Sequence, residues 1–257
     1  HLMAHKLVDD FKKSEPMNAE TEISFLSYCG GVPKTPNEFK YKFSWSPLGV
    51  LKALKSPSRS IKNFENFEAN RPWDSITSYN APLNKPEEFE VYPNRDSLPF
   101  IEQYEFNPDW KIKQFVRGTL RLKGWAKAWD DIFKEIETLN GEAGEKRLTE
   151  MSEQFWQNNA YSENEPDRVI LCVDLKAEQN QNVFWHKTYK MDAWGDMQGT
   201  AMARLVSHPV YLAVTAITDN EIENGVSAAV SKPNLVDKWL KYINNLAQEF
   251  DIIDHLI

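Results

Sequence analysis

The sequence predicts an α+β (α/β) protein in which helices pack on one face of a mixed β-sheet, with a small helical insertion. Runs of alternating polarity, which are typical of strands, lie between runs of helical spacing. The two kinds of run do not alternate strictly, as they do in doubly wound parallel sheets. We therefore expect a sheet domain formed by residues 1–123 and 161–257, and an insertion formed by residues 124–160.

The composition disfavours several classes of protein. The 41% of hydrophobic and 26% of charged residues are typical of globular chains, which argues against disorder. Because the net charge is −8, the chain lacks the basic surface that nucleic-acid binding requires. No apolar run approaches the ~20 residues of a membrane span. We expect neither a nucleic-acid nor a membrane partner. The nine Trp and fourteen Phe indicate an aromatic-rich core or a large buried interface.

The first half of the chain predicts helices and several short strands. Apolar residues at helical spacing predict a helix over residues 2–13, and β-branched and aromatic residues predict a strand over residues 22–26. Gly30-Gly31 is expected to break this strand, because adjacent glycines allow positive φ and let a ligand approach the backbone. A Gly/Pro loop between two core strands explains the same residues. The other elements predicted here are a helix over 48–55 and short strands over 61–67, 75–79, 89–92 and 112–122.

Helical spacing dominates the second half of the chain. The predicted helices cover 125–140, 146–158, 200–217 and 235–250, and the predicted strands cover 169–175 and 183–191. We expect the two strands to form an antiparallel hairpin with a long polar loop over residues 177–182. Pro209 falls inside the third of these helices and predicts a kink.

Few residues in the sequence indicate catalysis. No G-x-G-x-x-G or G-x-x-x-x-G-K-[ST] motif occurs, so the chain holds no complete nucleotide phosphate site. We interpret His186 and His208 as structural residues, and we expect no metal because the five histidines lack paired ligand spacing. Cys29 has no basic partner nearby in the sequence and is interpreted as a small thiol beside a ligand. Cys29 and Cys172 are too few for a disulfide framework, which favours a reducing, cytoplasmic setting.

Arginines give the clearest indication of a ligand. Arg95 lies in the turn-rich segment 93–97, and alternation along a nearby strand places Arg117, Thr119 and Arg121 on one face. Planar guanidinium groups are suited to bidentate binding of carboxylates. Alternatively, each arginine is a surface residue that pairs with one of the 38 acidic residues.

Four motifs resemble those of the saccharopine dehydrogenases, in the order found in that family. They are SYCGG with YKFSWSP in residues 27–47, YPNRDS at 92–97, RGTLR at 117–121 and GTAMAR at 199–204. The opening residues 1–5 resemble the continuation of the family's DPGIDH segment, so we expect the chain to begin inside a longer protein. Residues 125–195 are much shorter than the family's helical third domain and match it poorly.

The resemblance implies a homodimeric, NADP-dependent oxidoreductase of lysine metabolism that interconverts saccharopine with L-glutamate and 2-aminoadipate 6-semialdehyde. It also implies that the N-terminal cofactor domain and the family's acid–base Lys and Asp are absent from this chain. The chain is then expected to bind substrate, but not to hold NADP or catalyse by itself. The positions that the resemblance assigns to the substrate pocket or its neighbourhood are Cys29, Gly30, Phe43, Ser44, Trp45, Asn94, Arg95, Arg117 and Thr119.

Two other functions remain open. One is a related opine-type dehydrogenase with a different secondary-amine substrate, such as carboxynorspermidine dehydrogenase. The other is a non-catalytic interaction domain that keeps the fold. A strand, a G-x-G-x-x-G motif and a helix encoded upstream of His1 would exclude the second.

Overall fold

The computed structural model describes residues 1–14, 20–223 and 225–257. Within these residues nine strands form one mixed sheet, and eight α-helices accompany it, so the predicted fold class is confirmed. None of the helices in the described ranges is long and apolar enough to cross a membrane.

The strands, in chain order, are β1 (Glu22–Pro33), β2 (Ser58–Lys62), β3 (Glu65–Ala69), β4 (Thr77–Ala81), β5 (Glu87–Pro93), β6 (Lys111–Leu122), β7 (Asp167–Gln179), β8 (Asn182–Trp194) and β9 (Glu249–Asp254). The α-helices are α1 (Leu2–Ser14), α2 (Pro47–Leu54), α3 (Pro99–Gln103), α4 (Trp125–Ala128), α5 (Asp130–Thr138), α6 (Gly141–Asn159), α7 (Ala201–Thr218) and α8 (Pro233–Asn244). A 3-10 helix covers Pro72–Ser75.

Strand β1 lies at the centre of the sheet, whose order is β3-β2-β6-β1-β7-β8-β9. Strand β5 lies against another part of β6 and carries β4 on its far side. The β1–β6 pair is parallel, and the other pairs described are antiparallel. A parallel pair needs a long crossover, which the chain between β1 and β6 provides. The second half of β1 therefore lies beside the second half of β6.

The main core lies between one face of the sheet and helices α1, α7 and α8. Helix α1 contributes Leu7 and Phe11 to this core, and the sheet contributes Phe25 and Phe115. All four side chains are fully buried, and each stabilises the fold by roughly 1.5–3 kcal/mol through removal of apolar surface from water. The apolar spacing that predicted α1 therefore reflects its contact with the sheet.

A second core surrounds Trp125 and Trp129, which are fully buried. Helices α2, α4, α5 and α6 contribute to it, together with Tyr41 and Phe43 from the segment after β1. The rings of Trp125 and Trp129 lie 5.2 Å apart, and the ring of Phe43 stacks on that of Phe155 at 5.8 Å. Many of the aromatic side chains thus fill the interior of one chain. Composition alone does not distinguish such a core from an aromatic-rich interface.

The expectation that Gly30-Gly31 breaks the first strand is wrong. Strand β1 continues through both glycines to Pro33, and neither glycine has a positive φ. A Cβ atom on Gly30 would lie 2.5 Å from the carbonyl oxygen of Leu120 on β6. Gly30 therefore permits a close approach between two strands, and the pattern does not mark a loop.

Two other predicted boundaries are also wrong. Strands β7 and β8 are longer than expected, and their connection is the two-residue turn Asn180-Gln181, in which both residues have positive φ. Such a turn matches the twist of the flanking strands, so the polar residues around it belong to the hairpin itself. The helix predicted over 125–140 is interrupted at Trp129, where α4 ends and α5 begins.

The predicted C-terminal helix also ends early. Helix α8 stops at Asn244, and the chain returns as strand β9 along β8. The apolar residues that continue the helical spacing after Asn244 include Phe250, which lies in β9 and packs on the main core. Tertiary contacts therefore decide this boundary over local propensity.

Candidate functional site

Cys29 and Thr119 lie side by side near the middle of the sheet. The register of β1 and β6 pairs Cys29 with Thr119 and Ser27 with Arg117. Because alternate residues of a strand share a face, Arg117, Thr119 and Arg121 lie along one face of β6, next to Cys29. We call Cys29, Arg117, Thr119 and Arg121 the β1–β6 cluster.

Cys29 is an exposed residue, but its thiol is not activated. Protein atoms around the sulfur desolvate the Cys29 thiol and raise its pKa, while the positive charges of Arg117 and Arg121 act in the opposite direction. A thiol with a raised pKa stays protonated at neutral pH and reacts slowly. This environment fits the interpretation of Cys29 as a small neutral group beside a ligand.

Two backbone hydrogen bonds and one aromatic ring hold Arg117 in place. Its N–H donates to the hydroxyl oxygen of Ser97 at 3.0 Å, and its carbonyl oxygen accepts from the N–H of Asn94 at 2.8 Å. Its guanidinium carbon lies 3.7 Å from the centre of the Phe100 ring. These contacts orient the Arg117 side chain without neutralising its charge.

Arg121 is buried, with only 5% of its surface exposed. Its guanidinium carbon lies 4.7 Å from the ring centre of Tyr41, 5.5 Å from that of Tyr92 and 5.4 Å from that of Trp125. Nη2 of Arg121 donates to the Tyr92 hydroxyl at 2.9 Å. Aromatic faces attract a desolvated cation, so these rings stabilise the charge in place.

Neither Arg117 nor Arg121 has a carboxylate partner in the described part of the chain. Glu90 is opposite Arg121 in the sheet, but its carboxylate accepts from the N–H groups of Gly124 and Ala126 at 2.9 and 2.7 Å. The Nε atoms of both arginines are buried without a hydrogen-bond partner. Buried cations are normally paired, so two unpaired guanidinium groups indicate a site for an external anion.

Arg168 shows the usual arrangement in the same sheet. Its Nε and Nη2 donate to the two carboxylate oxygens of Asp192 at 2.8 and 2.7 Å, and its Nη1 donates to Glu87 at 2.7 Å. Arg168 is thus paired with carboxylates in this sheet, whereas Arg117 and Arg121 are not. The lack of acidic partners is therefore specific to the β1–β6 cluster.

The aromatic segment after β1 divides into core and surface. Phe43 is 1% exposed and packs in the second core, so it anchors the segment to the protein interior. Trp45 is 44% exposed, and its Nε1 donates to the hydroxyl oxygen of Tyr41 at 3.3 Å. Ser44 lies between them and is half-buried. Through Tyr41, which faces Arg121, the exposed Trp45 is connected to the β1–β6 cluster.

The turn that contains Asn94 and Arg95 is tied to two strands. The backbone N–H of Asn94 bonds to β6, and the carbonyl oxygen of Arg95 accepts from the N–H of Arg59 at 2.9 Å. Arg95 has a φ of 53°, which is unusual for a residue with a side chain, and its side chain is exposed. Such strained residues are concentrated at functional sites.

Gly30 does not face the β1–β6 cluster. It lies against Leu120, on the face of the sheet opposite Cys29, since successive residues of a strand alternate. Gly31 shares the face of Cys29, and a Cβ there would lie 2.5 Å from Cε of Met202 on α7.

Two backbone N–H groups at the start of α7, those of Ala201 and Met202, donate to the carboxylate of Asp167 at 2.6 and 2.9 Å.

The structure adds residues to the site that the resemblance did not assign to the substrate pocket. Arg121 is the clearest, since the sequence had indicated it only as an arginine on the same strand face as Arg117 and Thr119. Tyr41 and Tyr92 gave no separate signal, because their proximity to Arg121 depends on contacts between distant segments.

Comparison with known proteins gives one family. The family profile described as "Saccharopine dehydrogenase C-terminal domain" matches residues 1–249. Mitochondrial alpha-aminoadipic semialdehyde synthase of Bos taurus is 27% identical over 90% of this chain and 32% of that protein. Saccharopine dehydrogenase (NADP(+), L-glutamate-forming) of Saccharomyces cerevisiae is 25% identical over 95% of this chain and 68% of that protein.

The fold agrees with a solved structure. Apo histidine-tagged saccharopine dehydrogenase (L-Glu forming) from Saccharomyces cerevisiae matches with a TM-score of 0.75 and 22% identity, over 99% of this chain and 71% of that chain. The chain spans about a third of the length of its bovine relative. Because the family profile covers residues 1–249, the chain belongs to the saccharopine dehydrogenase C-terminal domain family.

Proposed function

We propose that the chain is the substrate-binding part of an NADP-dependent saccharopine dehydrogenase, which interconverts saccharopine with L-glutamate and 2-aminoadipate 6-semialdehyde in lysine metabolism. The single observation that carries the proposal is the presence of two guanidinium groups without acidic partners, Arg117 and Arg121, beside Cys29 and Thr119. The names of the bovine and yeast relatives support the same chemistry.

Saccharopine suits this arrangement because it carries three carboxylates on a thin polar skeleton. Arg117 and Arg121 each offer a planar fork of N–H donors, which matches a carboxylate in charge and geometry. Thr119 adds a hydroxyl between them, and the neutral thiol of Cys29 adds bulk without a competing negative charge. In the proposal Arg117 and Arg121 fix the carboxylates, and the exposed Arg95 adds a contact at the rim.

NADP supplies the hydride acceptor or donor in this proposal. A dinucleotide is usually held by a glycine-rich turn between a strand and a helix. The adjacent glycines 30 and 31 lie inside β1, so they do not form such a turn. We therefore place NADP and the acid–base residues in a preceding domain of the full-length protein. The role of this chain is to bind and orient the substrate.

We also propose that residues 1–123 and 161–257 form one substrate-binding and dimerisation domain, with residues 124–160 as an insertion, and that the full-length protein is a homodimer. The support is a stripe on α7 whose apolar side chains are each more than half exposed, namely Val206, Val210, Tyr211, Val214 and Ile217. Residues 205–217 carry no acidic or basic side chain other than His208, so two copies could meet there without repulsion between like charges.

Light scattering tests the homodimer. We expect twice the protomer mass at micromolar concentration and the protomer mass for Val210→Glu, because a buried unpaired carboxylate disrupts an apolar interface. A protomer mass for the unmodified protein would contradict the homodimer.

The free thiols of Cys29 and Cys172 fit a reducing compartment, and cytoplasmic localisation stays a prediction.

The decisive experiment measures turnover of saccharopine with NADP by the full-length protein. We expect oxidation by the full-length protein and none by residues 1–257 alone, because hydride transfer needs a cofactor held in line with the substrate. In the full-length protein, Arg117→Ala is expected to lower kcat/KM by roughly 30-fold or more. Arg71→Ala is the matched control, since Arg71 is exposed and pairs with Asp74 and Glu137.

Three results would contradict the proposal. One is turnover of saccharopine that Arg117→Ala leaves unchanged. Another is a higher kcat/KM for carboxynorspermidine than for saccharopine, which would favour a related opine-type enzyme. The third is a full-length protein that turns over neither substrate, which would favour the non-catalytic alternative.

A further inference from the structure

Three side chains that commonly ligate metals converge on the face of the sheet opposite the β1–β6 cluster. Asp174 on β7, His186 on β8 and His255, just after β9, bring one ligand atom each to within 4.8 Å of the others. Cys29 pairs with Leu171, so Asp174, three residues further along β7, points to the other face. The group is therefore separate from the proposed substrate site.

The polar atoms of this group are already close together. Oδ2 of Asp174 lies 2.8 Å from Nε2 of His186 and 2.5 Å from Oγ1 of Thr188. Oγ1 of Thr188 lies 2.8 Å from Nε2 of His255. Thr188 is only 2% exposed, whereas the His255 ring reaches the surface, which leaves a path for an ion from solvent.

The backbone under the group is held by strand pairing. Asp174 is paired with Thr188 in the β7–β8 register, and the N–H of His255 donates to the carbonyl oxygen of His186 at 3.0 Å. Ligands on paired strands keep their positions better than ligands on loops. The spacing of Asp174, His186 and His255 in the sequence gave no sign of this, because each comes from a different strand or its end.

The imidazole rings of His186 and His255 lie against each other. Their rings stack with centres 3.9 Å apart and planes 18° apart. Two positive charges at this distance would repel each other. Metal ligation uses the neutral form of imidazole, so a bound cation is compatible with two rings in this arrangement.

We propose that Asp174, His186 and His255 bind a divalent transition-metal cation of the Zn²⁺ type. Two imidazole nitrogens and one carboxylate oxygen are a common zinc donor set, and Thr188 or water completes a tetrahedron. Calcium and magnesium prefer oxygen donors alone, so two imidazoles disfavour them. Ligand atoms around zinc lie about 2.0–2.2 Å from the metal, so closing the site takes side-chain movements on the order of 1 Å and rotation of the stacked imidazole rings until both lone pairs point at one ion.

The bound cation would link β9 to β7 across β8. In the described part of the chain β9 pairs only with β8, so it is an edge strand. A cation held by residues from β7, β8 and the turn after β9 stabilises the native sheet relative to the unfolded chain, in which the ligands are far apart.

Calorimetric titration with ZnCl₂ tests the site, using full-length protein freed of its affinity tag and stripped of metal. We expect one additional site with a dissociation constant in the micromolar range or below. At a hundredfold excess over that constant, the melting temperature is expected to rise by about 5 °C or more. Addition of Co²⁺ should give the visible absorption of a four-coordinate site.

Three variants and one control distinguish this site from other zinc binding. His186→Gln, His255→Gln and Asp174→Asn should each weaken zinc binding by at least about tenfold, because each removes one of three protein ligands. His208→Gln should leave binding unchanged, since His208 lies on α7 with its Nδ1 2.9 Å from the Tyr242 hydroxyl. His255 is exposed, so His255→Gln is expected to leave the fold intact.

The proposal fails if the unmodified protein shows neither zinc binding nor a rise in melting temperature. It also fails if the three variants bind zinc as tightly as the unmodified protein. In either case the group is a hydrogen-bond network alone. Neither result bears on saccharopine turnover, because the two sites lie on opposite faces of the sheet.

Discussion

The guanidinium group of Arg121 lies over the ring of Tyr41, with its carbon 4.7 Å from the ring centre. This contact joins strand β6 to the segment that follows β1. Tyr41 in turn accepts a hydrogen bond from the exposed Trp45. The aromatic segment and the arginines that stood out separately in the sequence therefore form one site, in which a cation without an acidic partner is held by aromatic rings.

Replacement of Arg121 should affect saccharopine binding more than folding. Arg121→Met keeps much of the side-chain volume but removes the charge, so we expect kcat/KM for saccharopine to fall by roughly 30-fold or more. The lost cation–π contacts are worth about 1–2 kcal/mol, so the free energy of unfolding should fall by a similar amount. Steady-state kinetics and urea denaturation of the full-length protein measure the two effects.

Arg121→Lys separates charge from geometry. Lysine keeps a positive charge near the rings but cannot donate two parallel hydrogen bonds to one carboxylate. We therefore expect Arg121→Lys to recover only part of the activity. Activity equal to that of the unmodified protein in Arg121→Met would show that Arg121 is a structural residue.

Gly30 and Gly31 should differ sharply in their tolerance of a methyl group. A Cβ on Gly30 would lie 2.5 Å from the carbonyl oxygen of Leu120 and 2.8 Å from its Cβ, atoms that cannot move without displacing β6. We expect Gly30→Ala to lower the free energy of unfolding by about 2–4 kcal/mol. Gly31→Ala is the matched control, because its Cβ meets only the flexible end of Met202.

The Gly31→Ala variant should lose less than about 1 kcal/mol, measured by urea denaturation of both variants under the same conditions. Equal losses in the two variants would contradict the role assigned to Gly30 in the β1–β6 contact.

Glu178 should make the stability depend on pH in the acid range. Hydrogen bonds from Lys113 and Lys176 lower the pKa of Glu178 from its ordinary value of 4.5 to about 2. Because the pKa is lower in the folded state, the stabilisation is fully present above about pH 4.5 and is lost as the pH falls towards 2. The lysines are about one-third exposed, so we expect a contribution of only about 1–2 kcal/mol.

Glu178→Gln tests this dependence. Glutamine cannot titrate, so the difference in unfolding free energy between the two proteins should shrink as the pH falls from 4.5 to 2. A difference that stays constant over this range would show that Glu178 has an ordinary pKa.

The local sequence pattern correctly predicted elements whose buried face can be recognised from that element's own residues. The alternation around Arg117 and Thr119 follows from β6 alone, and the apolar spacing of α1 follows from the one face that this helix buries. The pairing of Cys29 with Thr119 could not be predicted, because it depends on the register between two strands that are far apart in the sequence. Strand β9 was missed because its apolar residues continue the spacing of α8.

The exposure of two residues near the site also depends on contacts between distant segments. Phe43 and Trp45 are two residues apart in an alternating segment, yet one is buried in the second core and the other is exposed. Their difference arises because α6 covers Phe43 through Phe155, a contact that no local pattern contains.

Arg95 provides the sharpest test of the site proposed from the sequence. Its backbone has a φ of 53°, and its carbonyl oxygen accepts a hydrogen bond from Arg59 of β2, while its side chain is exposed and has no ion-pair partner within the described residues. If Arg95 binds a substrate carboxylate, its removal costs on the order of 2–5 kcal/mol in the complex. We expect Arg95→Ala to lower kcat/KM for saccharopine by roughly 30-fold or more and to leave the dissociation constant of NADP unchanged.

Arg95→Lys should recover part of this loss, since an ammonium group keeps the charge but not the fork of donors. Arg71→Ala again serves as the control, because an exposed arginine paired with acidic residues contributes at most about 1 kcal/mol. A decrease below about threefold for Arg95→Ala would make Arg95 a surface residue that only shapes the turn. Carboxylate binding would then rest on Arg117 and Arg121, whose guanidinium groups the structure already holds against aromatic rings.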